Sequence, residues 1–246
     1  MMARMAAALG RHLLLLLLAA FTLAPVTVML AGSLLTPDAI YRPDVAAEGF
    51  AGLANYRQAV QESGILGYML NGAVVVLSIL AAQLVVCLPA AYALAMHEFR
   101  GRRGFMIAVL AALAAPSQAV LLPVFLLVSA FGWIDSWMAL IAPAAASAFG
   151  VLLFHRAMTA VPRSLVEAAR LEGMSEAGIL VRVVLPQIRP AVAAFALFSI
   201  VVHWNDYIWP LIVLSSPDRF TPALGMVYFS TYDAGANYGP LMAAAT

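Results

Sequence analysis

Lysine is absent from this chain of 246 residues, and all thirteen basic residues are arginines. A Walker A phosphate loop needs a lysine to reach the nucleotide phosphates, so the chain cannot hydrolyse ATP through that motif. Cysteine occurs once, at Cys87, which excludes an intrachain disulfide and leaves the redox compartment unspecified. Histidine occurs four times, at His12, His97, His155 and His203, too scattered in sequence to suggest a metal site. The zinc-protease pattern H-E-x-x-H is missing. Charge is scarce as well: charged residues make up 10% of the chain, where a soluble domain carries about a quarter. The net charge of +1 gives no broad basic field, so nucleic acid is not an expected partner.

What fills the chain is apolar. Hydrophobic residues reach 64%, and mean hydropathy is +0.96. Five apolar runs stand out, at Leu13–Leu35, Leu70–Met96, Phe105–Ala130, Trp137–Phe154 and Ala191–Leu214. About 20 apolar residues cross a hydrocarbon core of about 30 Å, so the runs predict an all-α, polytopic transmembrane helical bundle with a lipid bilayer as its surroundings. The first run follows Arg4 and Arg11, as a signal peptide would. Its length and the lack of a clear cleavage site favour a retained span. "YGPLMAAAT" at the end begins a sixth run.

The arginines set the expected orientation. Ten lie in the N-terminal segment and in the second-to-third and fourth-to-fifth connections, against three in the other connections. Positive residues stay inside, which predicts a cytoplasmic N-terminus and a cytoplasmic fourth-to-fifth connection. On the other side, Thr36, Pro37 and Asp38 break the first helix, and "GLANYRQAVQES" suits a short surface helix. "SSPDRFTPALGMVYFSTYDAGANYG" is rich in proline, glycine, serine and aromatics, a composition for a contact loop or for interfacial anchoring.

Between the fourth and fifth runs lies "EAARLEGMSEAGILVRVVLPQIRPAV", Glu167–Val192, with three glutamates and three arginines. It has no cysteine, histidine or other catalytic pair. Pro162 fits the first position of a helix, where a missing N–H costs nothing. Gly173 can take the left-handed conformation that ends that helix. Ser175 can cap a second short helix that Pro186 ends, and Pro190 opens the fifth span. The first helix places Leu165, Ala168 and Ala169 on nearby positions, a low-relief face suited to a groove, and Glu167 can pair with Arg163 four residues before it. From the residues alone, an amphipathic helix lying on the bilayer and a protein-docking element fit equally.

The motif resembles the EAA loop of bacterial ABC-importer membrane subunits, approximately E-A-A-x-x-D-G-A, about nine residues, then I-x-L-P. Glu167, Ala168, Ala169, Gly173, Leu185 and Pro186 stand at the matching places. The chain departs at Glu172, where the family commonly has aspartate, and at Met174, where alanine is common. "SAFGVLLFHRAMTAVPRSLVEAA", "WNDYIWPLIVLSSPDRFTPALG", "AAPSQAVLLPVFLL" and "GLANYRQAV" extend the resemblance to the carbohydrate-uptake branch, of the maltose-transporter small-permease type. It covers nearly the whole chain.

That resemblance implies the type I ABC importer permease class. Residues 1–246 would form one transmembrane permease domain of five complete spans plus the start of a sixth, with a cytoplasmic coupling loop at 159–189. Such permeases usually have six spans and a basic tail, so the sixth would be either truncated or incompletely represented here. The implied location is the bacterial inner membrane. The implied partners are a second permease subunit, two ATP-binding subunits and an extracytoplasmic solute-binding protein. No cofactor is implied in this chain; ATP and magnesium belong to the partner ATPase. Leu165, Glu167, Ala168, Ala169, Gly173, Leu185 and Pro186 are the implied coupling residues. The implied cargo is a sugar or sugar-like solute, with glycerol phosphate or a polyamine as the alternative.

Polar residues within apolar runs are the candidates for the pathway. Asp206 is the only acid in a run and, with Trp204 and Asn205, forms "WND". It suits a pathway or outer-gate residue, and better a helix-packing hydrogen bond or an acid already at the interface. Gln118 follows Pro116, where a proline frees backbone groups that can line a cavity. Gln118 and Asn205 suit a sugar path, and, like Gln83 and Asn71, also suit interhelical hydrogen bonds. The five runs contain no arginine, which favours a neutral solute over an anion. An intramembrane enzyme would need a nucleophile–base pair or metal ligands in the spans, and the runs offer none.

Overall fold

The structure is a computed structural model that describes residues 2–36, 39–40, 49–62, 64–230 and 238–246. Pro37 and Asp38 of the expected helix break, and residues 231–237 of the last connection, lie outside the described residues. Among the described residues there are helices and one isolated bridge, Leu35 to Phe50, but no strand. The chain divides into two compact units, residues 1–66 with 225–246, and residues 67–224.

The first unit contains α1 (Met2–Ser33), α2 (Ala54–Glu62) and the C-terminal helix Tyr238–Ala245. The Leu9–Ser33 stretch is strongly apolar and exposed along most of its length, with burial only at its end, at Gly32 and Ser33, the signature of a helix that meets lipid or another protein. At its end Asn55 is buried and donates to the carbonyls of Ser33 and Leu35 at 2.9 and 2.8 Å. Those carbonyls lie past the last helical turn and need a donor. Gly239 leaves room for Asn55, because a Cβ there would come within 2.7 Å of its amide.

The second unit is built on α3 (Ile65–Met96), among the described residues the one other unbroken helix long and apolar enough to cross a membrane. The third and fourth apolar runs are bent pairs, and a further bent pair joins Glu176–Gln187 to Arg189–Trp204 at 84°. If each pair is one span, the described residues reach a total of five. The first pair is α4 (Arg102–Ala114) and α5 (Ser117–Ala130), which meet at 108°. Pro116 pushes Ala115 into an extended conformation (φ −70°, ψ 126°), as residues before proline prefer. Next come α6 (Met138–Ala144) and α7 (Ala148–Thr159), at 40°. Ser147 is extended and caps α7 by accepting from the Gly150 N–H at 3.1 Å.

The last run divides into α11 (Arg189–Trp204) and α12 (Ile208–Val213), with "NDY" between them. Pro210 explains this break. Continued helix would drive its ring against the carbonyl four residues back, at Asp206.

Bent spans leave backbone groups unpaired, and polar side chains answer them. Gln83, buried on α3, donates to the Ala144 carbonyl at the end of α6 (3.0 Å) and accepts from Ser199 on α11 (2.6 Å). The interhelical reading of Gln83 is therefore the one the structure shows. Around it Cys87, Phe154, Met158 and Phe195 pack the core, with Phe154 edge-on to Phe195 at 5.0 Å. Gly150 lets α7 and α11 approach closely; a Cβ would sit 2.8 Å from the Phe195 ring. In a bilayer such small-residue contacts hold helices by van der Waals fit.

Candidate functional site

The loop between α7 and α11 contains α8 (Arg163–Leu171), α9 (Glu176–Ile179), a π-helical turn (Leu180–Val184) and α10 (Leu185–Gln187). Pro162 is the cap of α8, in extended conformation, and not its first helical residue; the helix starts at Arg163. The far end is as the sequence suggests. Gly173 has φ +79°, its N–H bonds the Arg170 carbonyl at 3.0 Å, and the Met174 N–H reaches back to Ala169 at 3.1 Å. This left-handed turn satisfies two orphan carbonyls and reverses the chain. Ser175 caps α9 by accepting from the Gly178 N–H at 3.2 Å.

Pro186 does not end the second helix. The preceding turn widens to a π-helix, which absorbs the missing N–H, and helix continues to Gln187. The break falls at Ile188 (φ −100°, ψ 13°), where the chain turns by 84° into α11, with Pro190 in its first turn.

The expected shared face of Leu165, Ala168 and Ala169 is also corrected. Successive helical residues point about 100° apart. Ala169 turns inward with Val166, at 6% and 2% exposure, and packs on the core of its own chain. Leu165, Glu167 and Ala168 are exposed, and Leu171 is 90% exposed. Leu185 is half-buried against the core, and Pro186 is half-buried. Among the described residues no ion pair joins Arg163 to Glu167.

The ion pair instead joins Arg170 to Glu176, a residue that the sequence reading passed over. Arg170 Nε donates to Glu176 Oε1 at 2.8 Å, and its Nη2 donates to Oε2 at 3.2 Å. Tyr92 at the end of α3 donates its hydroxyl to Oε2 at 2.7 Å, and His97 Nε2 lies 3.3 Å away. The hydrogen bonds from Arg170 and then Tyr92 hold the Glu176 carboxyl down at about 2. The signal available in sequence was an acid in the first turn of a capped helix, six residues after an arginine across a glycine turn.

The opposite end of α3 meets other loops. Asn71 donates to the carbonyls of Asp218 (2.8 Å) and Phe220 (3.1 Å), so its role is a tertiary hydrogen bond. Nearby, Asp135 has φ 56° and accepts from the N–H groups of Ser215 and Ser216 at 2.9 and 3.0 Å, and from the Ser216 hydroxyl at 2.5 Å. Arg219 also bonds the Asp135 carbonyl. Asn71 and Tyr92 are about 30 Å apart along the helix at 1.5 Å per residue. So the two arginine-rich connections of this unit share one end of α3, and the arginine-poor ones share the other, as the charge pattern implied.

The three pathway candidates separate. A cavity of about 230 Å³ lies among α3, α5, α6 and α11–α12 and is lined by Asp206, His203, Thr221 and apolar side chains such as Ile79, Leu121 and Trp209. Gln118 is exposed on α5 and is not part of that lining. Asn205 is exposed, and its amide donates to the Val201 carbonyl one turn back at 2.8 Å. Asp206, ahead of α12, accepts from the Trp209 N–H in its first turn at 3.4 Å. His203 and Thr221 were not singled out from sequence. Thr221 is 3% exposed, and its hydroxyl has no partner among the described residues. No cluster of three metal-ligating side chains occurs among the described residues.

Residues 75–246 match the family model described as "Binding-protein-dependent transport system inner membrane component". The arabinooligosaccharides transport system permease protein AraQ of Halalkalibacterium halodurans is 36% identical over 170 residues, 69% of this chain and 59% of AraQ. The match thus spans about three fifths of that relative's length. The diacetylchitobiose uptake system permease protein NgcG of Streptomyces coelicolor is 29% identical over 95% of this chain and 78% of its own. The sn-glycerol-3-phosphate transport system permease protein UgpE of Agrobacterium fabrum is 29% identical over 92% of this chain and 84% of its own. A chain from the crystal structure of a bacterial ABC transporter involved in the import of the acidic polysaccharide alginate superposes with a TM-score of 0.83. It covers 98% of this chain and 90% of that chain at 22% identity, a likeness of fold. With its family model matched from the second apolar run onward, and bent helices around a charged loop, the chain belongs to the binding-protein-dependent transport inner membrane components.

Proposed function

We propose that this chain is the permease subunit of an ATP-driven importer, forms half of the translocation path for a sugar or sugar-like solute, and docks on a separate ATPase through its EAA loop. The observation that carries this reading is the split of the loop into two faces. Val166 and Ala169 fasten α8 to the chain's own core, while Leu165, Ala168 and Leu171 are left exposed. An exposed apolar edge at the tip of a charged loop suits a groove on another protein. The absence of lysine removes the usual nucleotide loop from this chain, so the ATPase, with ATP and magnesium, is a partner. A second permease and an extracytoplasmic solute-binding protein complete the assembly. The arginine bias supports a cytoplasmic N-terminus and a cytoplasmic position for this loop.

The relatives' names point to oligosaccharides and, for UgpE, to sn-glycerol-3-phosphate. The cavity favours a neutral cargo. Its lining holds one acid, Asp206, and no arginine, so it offers a phosphate no guanidinium to bind. The test is co-purification of the chain with an ATPase subunit, followed by uptake of labelled oligosaccharide into liposomes. Ala168→Trp should abolish ATPase binding while the chain still inserts. An Ala168→Trp chain that assembled and transported normally would remove the docking reading.

A further inference from the structure

The loop is joined to the rest of the chain by two routes of unequal stiffness. Along the backbone, α9 continues into α11 through a π-helical turn, a non-helical Ile188 and an 84° bend. The π-turn and the kink interrupt the regular hydrogen-bond ladder, so this route is not one continuous helix. Across space, the Glu176 carboxylate gathers Arg170 from α8 and Tyr92 from the end of α3, with His97 beside them. Tyr92 is 5% exposed, and its ring meets His97 edge-on at 5.5 Å, so the donor side of this contact is aimed by packed groups. Apolar contacts of Val166, Ala169 and Ile179 also join the loop to the core, but such contacts are non-directional and allow sliding. A carboxylate with several directed donors sets the register.

We propose that Glu176 is a positioning residue for coupling, whose carboxylate locks α8 and α9 to each other and to the inner end of α3, so that displacement of the loop is delivered to α3. This rests on the importer reading above. It adds the route by which the loop moves the spans: α3, contacted through side chains, moves with the loop, and the backbone joint at Ile188 yields.

The experiment uses the full chain assembled with its ATPase and second permease in liposomes, and measures solute transported per ATP hydrolysed. Glu176→Leu should leave ATPase co-purification and basal hydrolysis intact and lower the transport ratio by about fivefold, the scale of losing a half-exposed charge-assisted contact. Tyr92→Phe, which deletes one hydroxyl, should lower it by about twofold. Glu176→Gln should recover part of the loss, because an amide oxygen still accepts from Tyr92. In the double variant Tyr92→Phe should add nothing, because both act through one contact. An unchanged ratio in Glu176→Leu, independent losses in the double variant, or loss of ATPase binding in Glu176→Leu would each overturn the proposal. Failure of the unaltered chain to bind any ATPase subunit would instead overturn the importer reading.

Discussion

The two ends of α3 are held in opposite ways. Near its start, Asn71 grips backbone carbonyls, and across the same surface Asp135 grips backbone N–H groups of Ser215 and Ser216. Side chains there fix the path of a loop. At its other end, Tyr92 and His97 meet Glu176 side chain to side chain. Side chains there join whole helices whose internal geometry is already set by the glycine turn and the serine cap. The first arrangement makes a loop keep its shape. The second lets a preformed piece be carried as a body, which is what a coupling element requires.

The largest effect that would sharpen this contrast comes from Ala169. Ala169→Trp forces a large ring into the packed core and should cost about 3 kcal/mol, since overpacking of cores costs roughly 1–3 kcal/mol. The measurement is thermal unfolding of the purified chain in detergent. Ala168→Trp, one residue away, should leave that transition unchanged. Equal losses at both positions would show that α8 is rotated from the orientation described.

Gly173→Val should follow, at roughly 1–2 kcal/mol. No heavy atom lies within 4 Å of a Cβ built at Gly173, so the cost is backbone strain alone. Membrane insertion should survive while uptake is lost, because α9 leaves the turn in the wrong direction. Gly173→Asn, which tolerates the left-handed region, should keep most of the uptake.

Asn71→Ala removes two hydrogen bonds and should loosen the 217–220 segment by about 1–2 kcal/mol in local opening, at roughly 1 kcal/mol per bond. Hydrogen exchange of residues 213–220 reads it. Exchange around Glu176 should not change, because that contact sits at the other end of the helix.

The smallest effect is that of pH. Hydrogen bonds from Ser216 and Ser215 hold the Asp135 carboxyl at about 2, below its ordinary 3.8. A depressed acid stabilises the folded state above its unfolded value and loses that contribution as pH falls towards the folded value. Exchange in the 213–216 segment should therefore stay constant from pH 7 to about 5 and rise between about 4 and 2. Glu176, held at about 2 against an ordinary 4.5, predicts the same window at the other end. A change in either segment near pH 6 would mean that other groups govern it.

Much of this was legible in the residues. Gly173 and Ser175 declared the turn and the cap, because a left-handed residue and an N-terminal cap are local demands that few residue types meet. The pathway candidates were not legible in the same way. Gln118, Asn205 and Asp206 read alike as polar residues in apolar runs, yet Asp206 alone lines the cavity. Distinguishing them needed the rotation of each helix and the bends at Pro116 and before Pro210. Glu176 went unnoticed for a similar reason: its partner Tyr92 is 84 residues away.

Composition and local chemistry by themselves determined that this is a helical membrane chain without lysine, with an arginine-marked face and a loop turned at Gly173. Those properties follow from bilayer thickness, from the cost of charge in hydrocarbon and from backbone conformation, and each acts within a few residues. The tertiary structure decided which spans break, that Ala168 faces outward while Ala169 faces the core, and that Glu176 ties the loop to α3. Those outcomes depend on which surfaces meet after the helices pack, and on which freed carbonyl a buried Gln83 can reach. Sequence neighbours carry no record of such long-range geometry.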